Sequence, residues 1–363
     1  MNGSRLTGQV RVVGTGLLGA SVGLGLRALG VDVIVHDTSP ANLSLAIDYG
    51  AGRAPVEGDN PQLIVVAVPP DVTARVIAAE LAAFPQAIVT DVASVKVAVL
   101  AEVRAAGVDT ERYVGSHPLA GRERGGPISA RRDLFLGRPW VITPHDGMPA
   151  ARVGLIEDLV LDLGAVPVIM TAEQHDSSVA LVSHVPQVIA SLLARRLTGG
   201  SEAALSLSGQ GLRDTTRIAS SDAELWVQIL GANAESVANI LQEVRTDLDA
   251  AIEILRAPET PGARRSLAEL LAGGSVGVAR IPGKHGQDRR FNQIVVMVDD
   301  MPGELARLLS EIGEIGVNVE DLRLEHSPGQ QIGLAEIAVL PQASAGLVVN
   351  LLARGWRIAQ VAE

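Results

Sequence analysis

The 363-residue chain contains no cysteine. That excludes disulfides, thiolate catalysis, iron–sulfur clusters and cysteine-based zinc sites. Histidine spacing for a metal is missing too, since His175 and His184 do not form an H-E-x-x-H pattern. Aromatic residues are only 2% of the chain, and none interleaves the scattered pairs Arg131-Arg132, Arg195-Arg196, Arg264-Arg265 and Arg289-Arg290. With a net charge of −11, a general affinity for nucleic acid is not expected, because such binding works by neutralising phosphates. No apolar run approaches the ~18 residues that a bilayer-crossing helix needs. The opening Met-Asn-Gly-Ser-Arg leads into no apolar signal core. The expectation is a cytoplasmic protein with no membrane and no nucleic-acid partner.

What is present is apolar patterning, 47% hydrophobic residues in a chain long enough for two or three domains. Val10–Val13, Val31–Val35, Leu63–Val68 and Ala87–Val89 are continuous apolar strands that alternate with helical stretches. This indicates an α/β domain with a parallel, Rossmann-type sheet covered on both faces, spanning residues 1–170. From 171 to 256 the strands vanish and helices replace them, at Ser177–Leu197, Ala223–Leu230 and Ala234–Leu255. The last has Val237, Ile240, Leu241, Val244, Leu248, Ile252 and Leu255 at nearly helical period. Such a face needs a partner surface, and a second subunit supplies one, so a homodimer is expected. Residues 257–290 are rich in Pro, Gly and charge and read as a linker with one short helix at Ser266–Leu271. A βαββαβ order from 291 to 363 predicts a ferredoxin-like unit.

Gly14, Gly16 and Gly19 form G-x-G-x-x-G between a strand and a helix. In that setting the first glycine allows a tight turn and the second lets backbone approach a pyrophosphate. The third lets helix and sheet pack closely, with the helix N-terminus facing the anion. Asp37 closes the second strand, 23 residues after Gly14. A carboxylate there accepts from a ribose 2′-hydroxyl and repels a 2′-phosphate, which favours NAD. The expected cofactor contacts are Gly14, Gly16, Leu17, Leu18, Gly19, Asp37, Val68 and Pro69. Asp91-Val92-Ala93-Ser94-Val95-Lys96 follows a strand, either as an active-site segment at the carboxyl end of the sheet or as a helix start capped by Ser94. His117 follows the strand-like Tyr113-Val114-Gly115, and Pro118 restricts its backbone.

These three motifs, the last of them Gly115-Ser116-His117-Pro118-Leu119-Ala120-Gly121, resemble in order the prephenate dehydrogenase family of tyrosine biosynthesis. Ser183-His184-Val185-Pro186 is similar to the family's Ser-His-x-Pro segment. Gly211-Leu212-Arg213-Asp214-Thr215-Thr216-Arg217-Ile218-Ala219 is similar to another, with Leu212 where an aromatic residue is usual. The last unit resembles an ACT domain, through Asp300-Met301-Pro302-Gly303 and Gly316-Val317-Asn318-Val319.

The resemblance implies oxidation of prephenate: hydride leaves C4 for NAD, the ring carboxylate departs as CO2, and 4-hydroxyphenylpyruvate results. His117 would accept the C4 hydroxyl proton and must be neutral beforehand. Ser94 would bond the histidine or the hydroxyl and fix the tautomer, and Lys96 would support this network electrostatically. Arg217 would bind a substrate carboxylate bidentately, His184 would contact the substrate, and Asp214 would orient its neighbours. Without the family, Asp214 and Arg217 read as a helix-face ion pair and His184 as a buried helical histidine.

The rival substrate is arogenate, whose ammonium would need a partner such as Glu123. Gln210 stands where relatives often carry glycine and bears on the same end of the pocket. A β-hydroxyacid dehydrogenase would leave His-Pro-Leu-Ala-Gly and the last domain unexplained. A nucleotide- and amino-acid-sensing regulator would have no use for a proton acceptor. The ACT-like unit implies control by an amino acid, tyrosine first, with Pro302, Gly303 and Asn318 near the effector.

Overall fold

The computed structural model describes residues 4–120, 126–281, 291–326 and 332–362. It divides into two compact units, residues 1–199 with 216–244, and residues 200–215 with 245–363.

The first unit opens with alternating strands and helices: β1 (Val10–Val13), α1 (Leu17–Ala28), β2 (Val33–His36), α2 (Pro40–Asp48), β3 (Leu63–Val66) and α3 (Pro70–Ala83). There follow β4 (Ile88–Asp91), α4 (Val97–Ala105), β5 (Tyr113–Pro118), β6 (Pro139–Thr143), α5 (Ala150–Asp162) and β7 (Val166–Ile169). The sheet order is β2-β1-β3-β4-β5-β6-β7. Side chains alternate across it, so Leu63 and Val65 enter one core with Val22 and Leu26 of α1. Ile64 and Val66 enter the other, with Ile77 and Leu81 of α3 and Val99 and Val103 of α4. Burial on both faces is why these strands read as unbroken apolar runs. Beyond β2, Arg53 continues the sheet through a single parallel bridge to Ile34. The strand order reverses between β1 and β3, and ligands of such sheets bind at that switch point, beyond the carboxyl ends of the strands.

The sheet is not parallel throughout, as the sequence had suggested. β5 and β6 pair antiparallel, from Gly115↔Thr143 to Pro118↔Trp140. A parallel neighbour needs a crossover connection. Between β5 and β6 the described residues hold only a one-turn helix, Pro127–Ser129.

Next come α6 (Ala172–Val179), a π-helical turn at Ala180–His184, and α7 (Val185–Leu197). They form one continuous helix of 26 residues, long and apolar enough to cross a bilayer by length and composition alone. That corrects the sequence expectation, which looked only for unbroken apolar runs. Its buried positions include His175, Asp176 and His184, with polar partners on neighbouring elements. The chain continues through α8 (Glu202–Leu205), α9 (Gln210–Thr216), α10 (Ala223–Ala232), α11 (Ala234–Arg256) and α12 (Ala263–Ala279). Val237, Ile240 and Leu241 of α11 pack with Ala180, Val185 and Ile189, while Leu248 and Leu255 are exposed.

The segment read as a linker with a helix at Ser266–Leu271 instead carries the 17-residue α12. Gly273, Gly274 and Gly277 each cost a helix ~1 kcal/mol relative to Ala, which stopped the sequence reading short. The last elements are β8 (Asn292–Asp299), α13 (Glu304–Glu314), β9 (Asp321–His326), β10 (Ile332–Val339), α14 (Pro341–Ala353) and β11 (Arg357–Ala362). They realise the expected βαββαβ order as an antiparallel sheet, β11-β8-β10-β9. Its core joins Ile294, Val296 and Ile337 to Leu308, Ile312, Leu347 and Leu351. β9 starts at Asp321.

Candidate active site

The glycine loop after β1 is shaped by three different constraints. Gly14 has φ +95°, and a Cβ there would lie 2.3 Å from the Ala67 carbonyl oxygen and 3.0 Å from Val68 Cγ1. At Gly19 a Cβ would lie 1.9 Å from the Gly14 carbonyl oxygen. A Cβ on Gly16 meets nothing within 4 Å. Fold packing therefore demands Gly14 and Gly19, while the opening at Gly16 is free for a bound group. Gly16 caps α1, so Leu17, Leu18 and Gly19 present first-turn amides with no intrahelical acceptor. Asp37 Oδ2 accepts from Thr15 N and Thr15 Oγ1 at 2.7 and 2.8 Å, and its Oδ1 accepts from Ser39 N at 2.8 Å. A carboxylate has about four acceptor sites, so one remains for a ribose hydroxyl. Val68 and Pro69 lie between β3 and α3. These residues fit a dinucleotide. Gly16→Ala should keep the fold, at a cost below about 1 kcal/mol, yet weaken NAD binding at least about tenfold. Calorimetric titration beside thermal melting checks this, and unchanged NAD affinity would remove Gly16 from the site.

Beyond β4 a buried ion pair organises the next segment. Lys96 Nζ donates to Asp91 Oδ2 and, at 2.7 Å, to the Ser116 carbonyl. Asp91 also accepts from Ala93 N at 3.0 Å and from Tyr113 Oη at 2.8 Å. Lys96 and Asp91 are 1% and 0% exposed. Burial pushes the Lys96 ammonium down, against the pull of Asp91. It drives the Tyr113 phenol well up, with the Asp91 carboxylate adding to the effect. A Cβ on Gly115 would meet Thr143 Oγ1 at 2.7 Å, Tyr113 Oη at 3.2 Å and Lys96 Cδ at 3.4 Å. The glycine of Gly-Ser-His-Pro thus makes room for this cluster. Its serine is tied elsewhere: Ser116 Oγ donates to the Asp91 carbonyl at 2.8 Å and accepts from Trp140 Nε1 at 3.0 Å.

His117 lies within β5, two residues from Gly115 and on the same face. Its Nδ1 stands 2.9 Å from His175 Nε2, and His175 Nδ1 stands 2.7 Å from Asp176 Oδ1. A carboxylate accepts, so His175 carries its proton on Nδ1 and its Nε2 is an acceptor. His117 must then donate from Nδ1, which leaves the lone pair on Nε2. Nε2 has no partner among the described residues. Burial, then His175, Lys96 and His184, hold the His117 imidazole well below its usual range, so the ring is neutral at pH 7. The tautomer assigned to Ser94 by resemblance is set by His175 instead. Ser94 is half-buried in the loop before α4, and its hydroxyl makes no hydrogen bond among the described residues. Nor does Ser94 cap α4. Asp176 does so from α6, accepting from Lys96 N at 2.8 Å and Val97 N at 2.9 Å.

Pro186 shapes the place of His184, nine residues after His175. Proline has no N–H to give to residue 182 and its ring displaces that carbonyl. The helix widens into the π turn Ala180–His184, a device frequent at functional sites. His184 is buried, edge-on to Trp226 with ring centroids 5.9 Å apart. Burial, with His175 adding and Asp176 opposing, brings its pKa down to about 4. Arg217 opens a one-turn helix, Arg217–Ser220, packed against α7, and is exposed. In the second unit Gln210 Nε2 donates to Asp214 Oδ1 at 2.8 Å along α9. Glu123 lies outside the described residues. Gly303, with φ +97°, follows Pro302 and begins α13, and Asn318 Nδ2 donates to Glu320 Oε1 at 2.8 Å.

The sequence did not single out His175 and Asp176 for catalysis, nor Asn233 and Asp91. An adjacent His-Asp pair on the helix that bears His184 was the available signal.

A sheet that can cradle a dinucleotide and presents a neutral histidine with one nitrogen open defines a dehydrogenase. Residues 22–169 match the family described as "Prephenate dehydrogenase, nucleotide-binding domain", and residues 171–272 "Prephenate dehydrogenase, dimerization domain". The probable prephenate dehydrogenase NovF of Streptomyces niveus is 38% identical over 95% of this chain and 98% of its own. The cyclohexadienyl dehydrogenase of Zymomonas mobilis is 32% identical over 66% of this chain and 86% of its own. Among solved structures, prephenate dehydrogenase of Aquifex aeolicus in complex with hydroxyphenyl propionate and NAD+ aligns with a TM-score of 0.67. It shares 26% identity over 77% of this chain and 99% of that one. Synechocystis arogenate dehydrogenase aligns with a TM-score of 0.62 and 26% identity, over 74% and 99%. The chain belongs to the prephenate dehydrogenase family, and is an NAD-dependent dehydrogenase.

Proposed function

We propose that the chain converts prephenate to 4-hydroxyphenylpyruvate and CO2. The observation that carries this is the chain of hydrogen bonds His117–His175–Asp176, which leaves a neutral His117 with an unprotonated Nε2 to receive a proton. NAD, when bound, supplies the acceptor for the hydride on C4 as the ring carboxylate leaves. His117 Nε2 takes the C4 hydroxyl proton. His175, its own proton held by Asp176, accepts from His117 throughout and stabilises the imidazolium that forms. Ser94, with its hydroxyl uncommitted, bonds the same substrate oxygen. Lys96 acts through its field, which keeps His117 deprotonated before turnover. Arg217 and His184 take the anionic groups of the substrate. The chain works as a cytoplasmic homodimer, supported by the exposed Leu248 and Leu255 on α11. Its βαββαβ unit is an ACT-type domain that takes an amino acid, tyrosine, near Pro302, Gly303 and Asn318.

Prephenate is favoured over arogenate because the relative matched over nearly all its length carries that name. NADH formation with each substrate at equal concentration tests the reading. Preference for prephenate is expected, with turnover falling as tyrosine is added. Preference for arogenate would keep the mechanism and replace the substrate. Silence with both would leave an amino-acid sensor.

A further inference from the structure

Asn233 closes α10 and is buried. Its Nδ2 donates to the main-chain carbonyl of Asp176 at 2.7 Å and lies 3.2 Å from His184 Nδ1. A carbonyl oxygen only accepts, so the atom facing it is the amide nitrogen, and the orientation of the amide follows. The second N–H of that nitrogen meets His184 Nδ1, which must therefore hold a lone pair. A neutral imidazole in that state carries its proton on Nε2. The groups around it are Asp176 and His175 on its own helix, and Trp226 and Asn233 on α10. His184 is 1% exposed, and its Nε2 has no partner among the described residues. On a ring that is otherwise enclosed, this donor is available to an acceptor from outside the chain.

We propose that Asn233 is a positioning residue that holds His184 in the Nε2–H tautomer, ready to donate to an oxygen of the substrate's anionic groups. The two histidines are then set in opposite senses: His117 presents a lone pair at Nε2 and His184 a proton. Asp176 serves both, through its carboxylate to His175 and through its carbonyl to Asn233. The inference rests on the proposed reading of this pocket as the site of a carboxylate substrate. A neutral donor there binds an anion without adding a second cationic neighbour to His117, whose proton affinity burial and the charge of Lys96 already lower.

The test begins without substrate. In the full chain labelled with 15N-histidine, His184 signals are assigned by their loss in His184→Gln. At pH 7 the expected pattern is a protonated Nε2 and an unprotonated Nδ1. A protonated Nδ1 would overturn the proposal whatever the substrate is. The second arm is Asn233→Leu, of similar size but without donors. Its KM for prephenate should rise about tenfold, as for a lost hydrogen bond to a charged group, with kcat changed less than about threefold and NAD affinity kept. An unchanged KM in a folded Asn233→Leu variant would overturn the role of Asn233, while wild-type turnover of prephenate would leave the proposed function standing. If the variant does not fold, the nitrogen signals of the native protein still decide.

Discussion

His117→Asn is expected to lower kcat by about 10²–10⁴-fold, the usual contribution of one general base, while the affinity for NAD stays within about twofold. The dinucleotide elements and the histidine are separate: Gly14, Gly16, Gly19 and Asp37 lie beyond β1 and β2, and none bonds His117. Asparagine keeps a donor near the position of Nδ1, so His175 retains a partner and the pocket retains its packing. Only the acceptor at Nε2 is lost. Native enzyme should show the acid limb of its kcat/KM profile below the ordinary imidazole pKa of about 6.5, because burial and neighbouring charge hold His117 down. Activity needs the deprotonated ring, so it falls only once the pH drops through that lowered pKa. Unchanged kcat in His117→Asn, or an acid limb above the ordinary range, would move the proton acceptor elsewhere.

The second large effect is expected from Lys96→Met. Removing one partner of a buried pair leaves the other charge uncompensated, which costs about 3–5 kcal/mol. Asp91 would keep Tyr113 Oη and Ala93 N as donors but lose its cation, and the Ser116 carbonyl would lose its donor. Urea unfolding should show the loss directly. The kinetic readout separates this from simple damage. Lys96 is one of the groups that lower the proton affinity of His117, so its removal should move the acid limb of kcat/KM to higher pH. A variant destabilised with its acid limb unmoved would make Lys96 a purely structural residue.

Much of the fold was legible because its signals are local. Continuous apolar strands, G-x-G-x-x-G and the βαββαβ order are each written in neighbouring residues, and each appears where expected. β6 was missed because Pro139-Trp140-Val141-Ile142-Thr143 sits among loop-like residues, and only pairing with β5 makes it a strand. α12 was cut short by glycines that the helix in fact accommodates.

For the site, the residue sequence itself singled out the candidate groups: a histidine fixed before Pro118, a cradle of glycines, an acid closing β2. It did not determine the protonation of those histidines. Ser94 carried that task by resemblance, yet the partner of His117 Nδ1 is His175, 58 positions away. The cap of α4 is Asp176, 80 positions from Lys96. Tautomer and basicity depend on which donor or acceptor lies within hydrogen-bond reach in a water-poor pocket. That distance is set by how α6 packs across the end of the sheet, and no spacing along the chain encodes it.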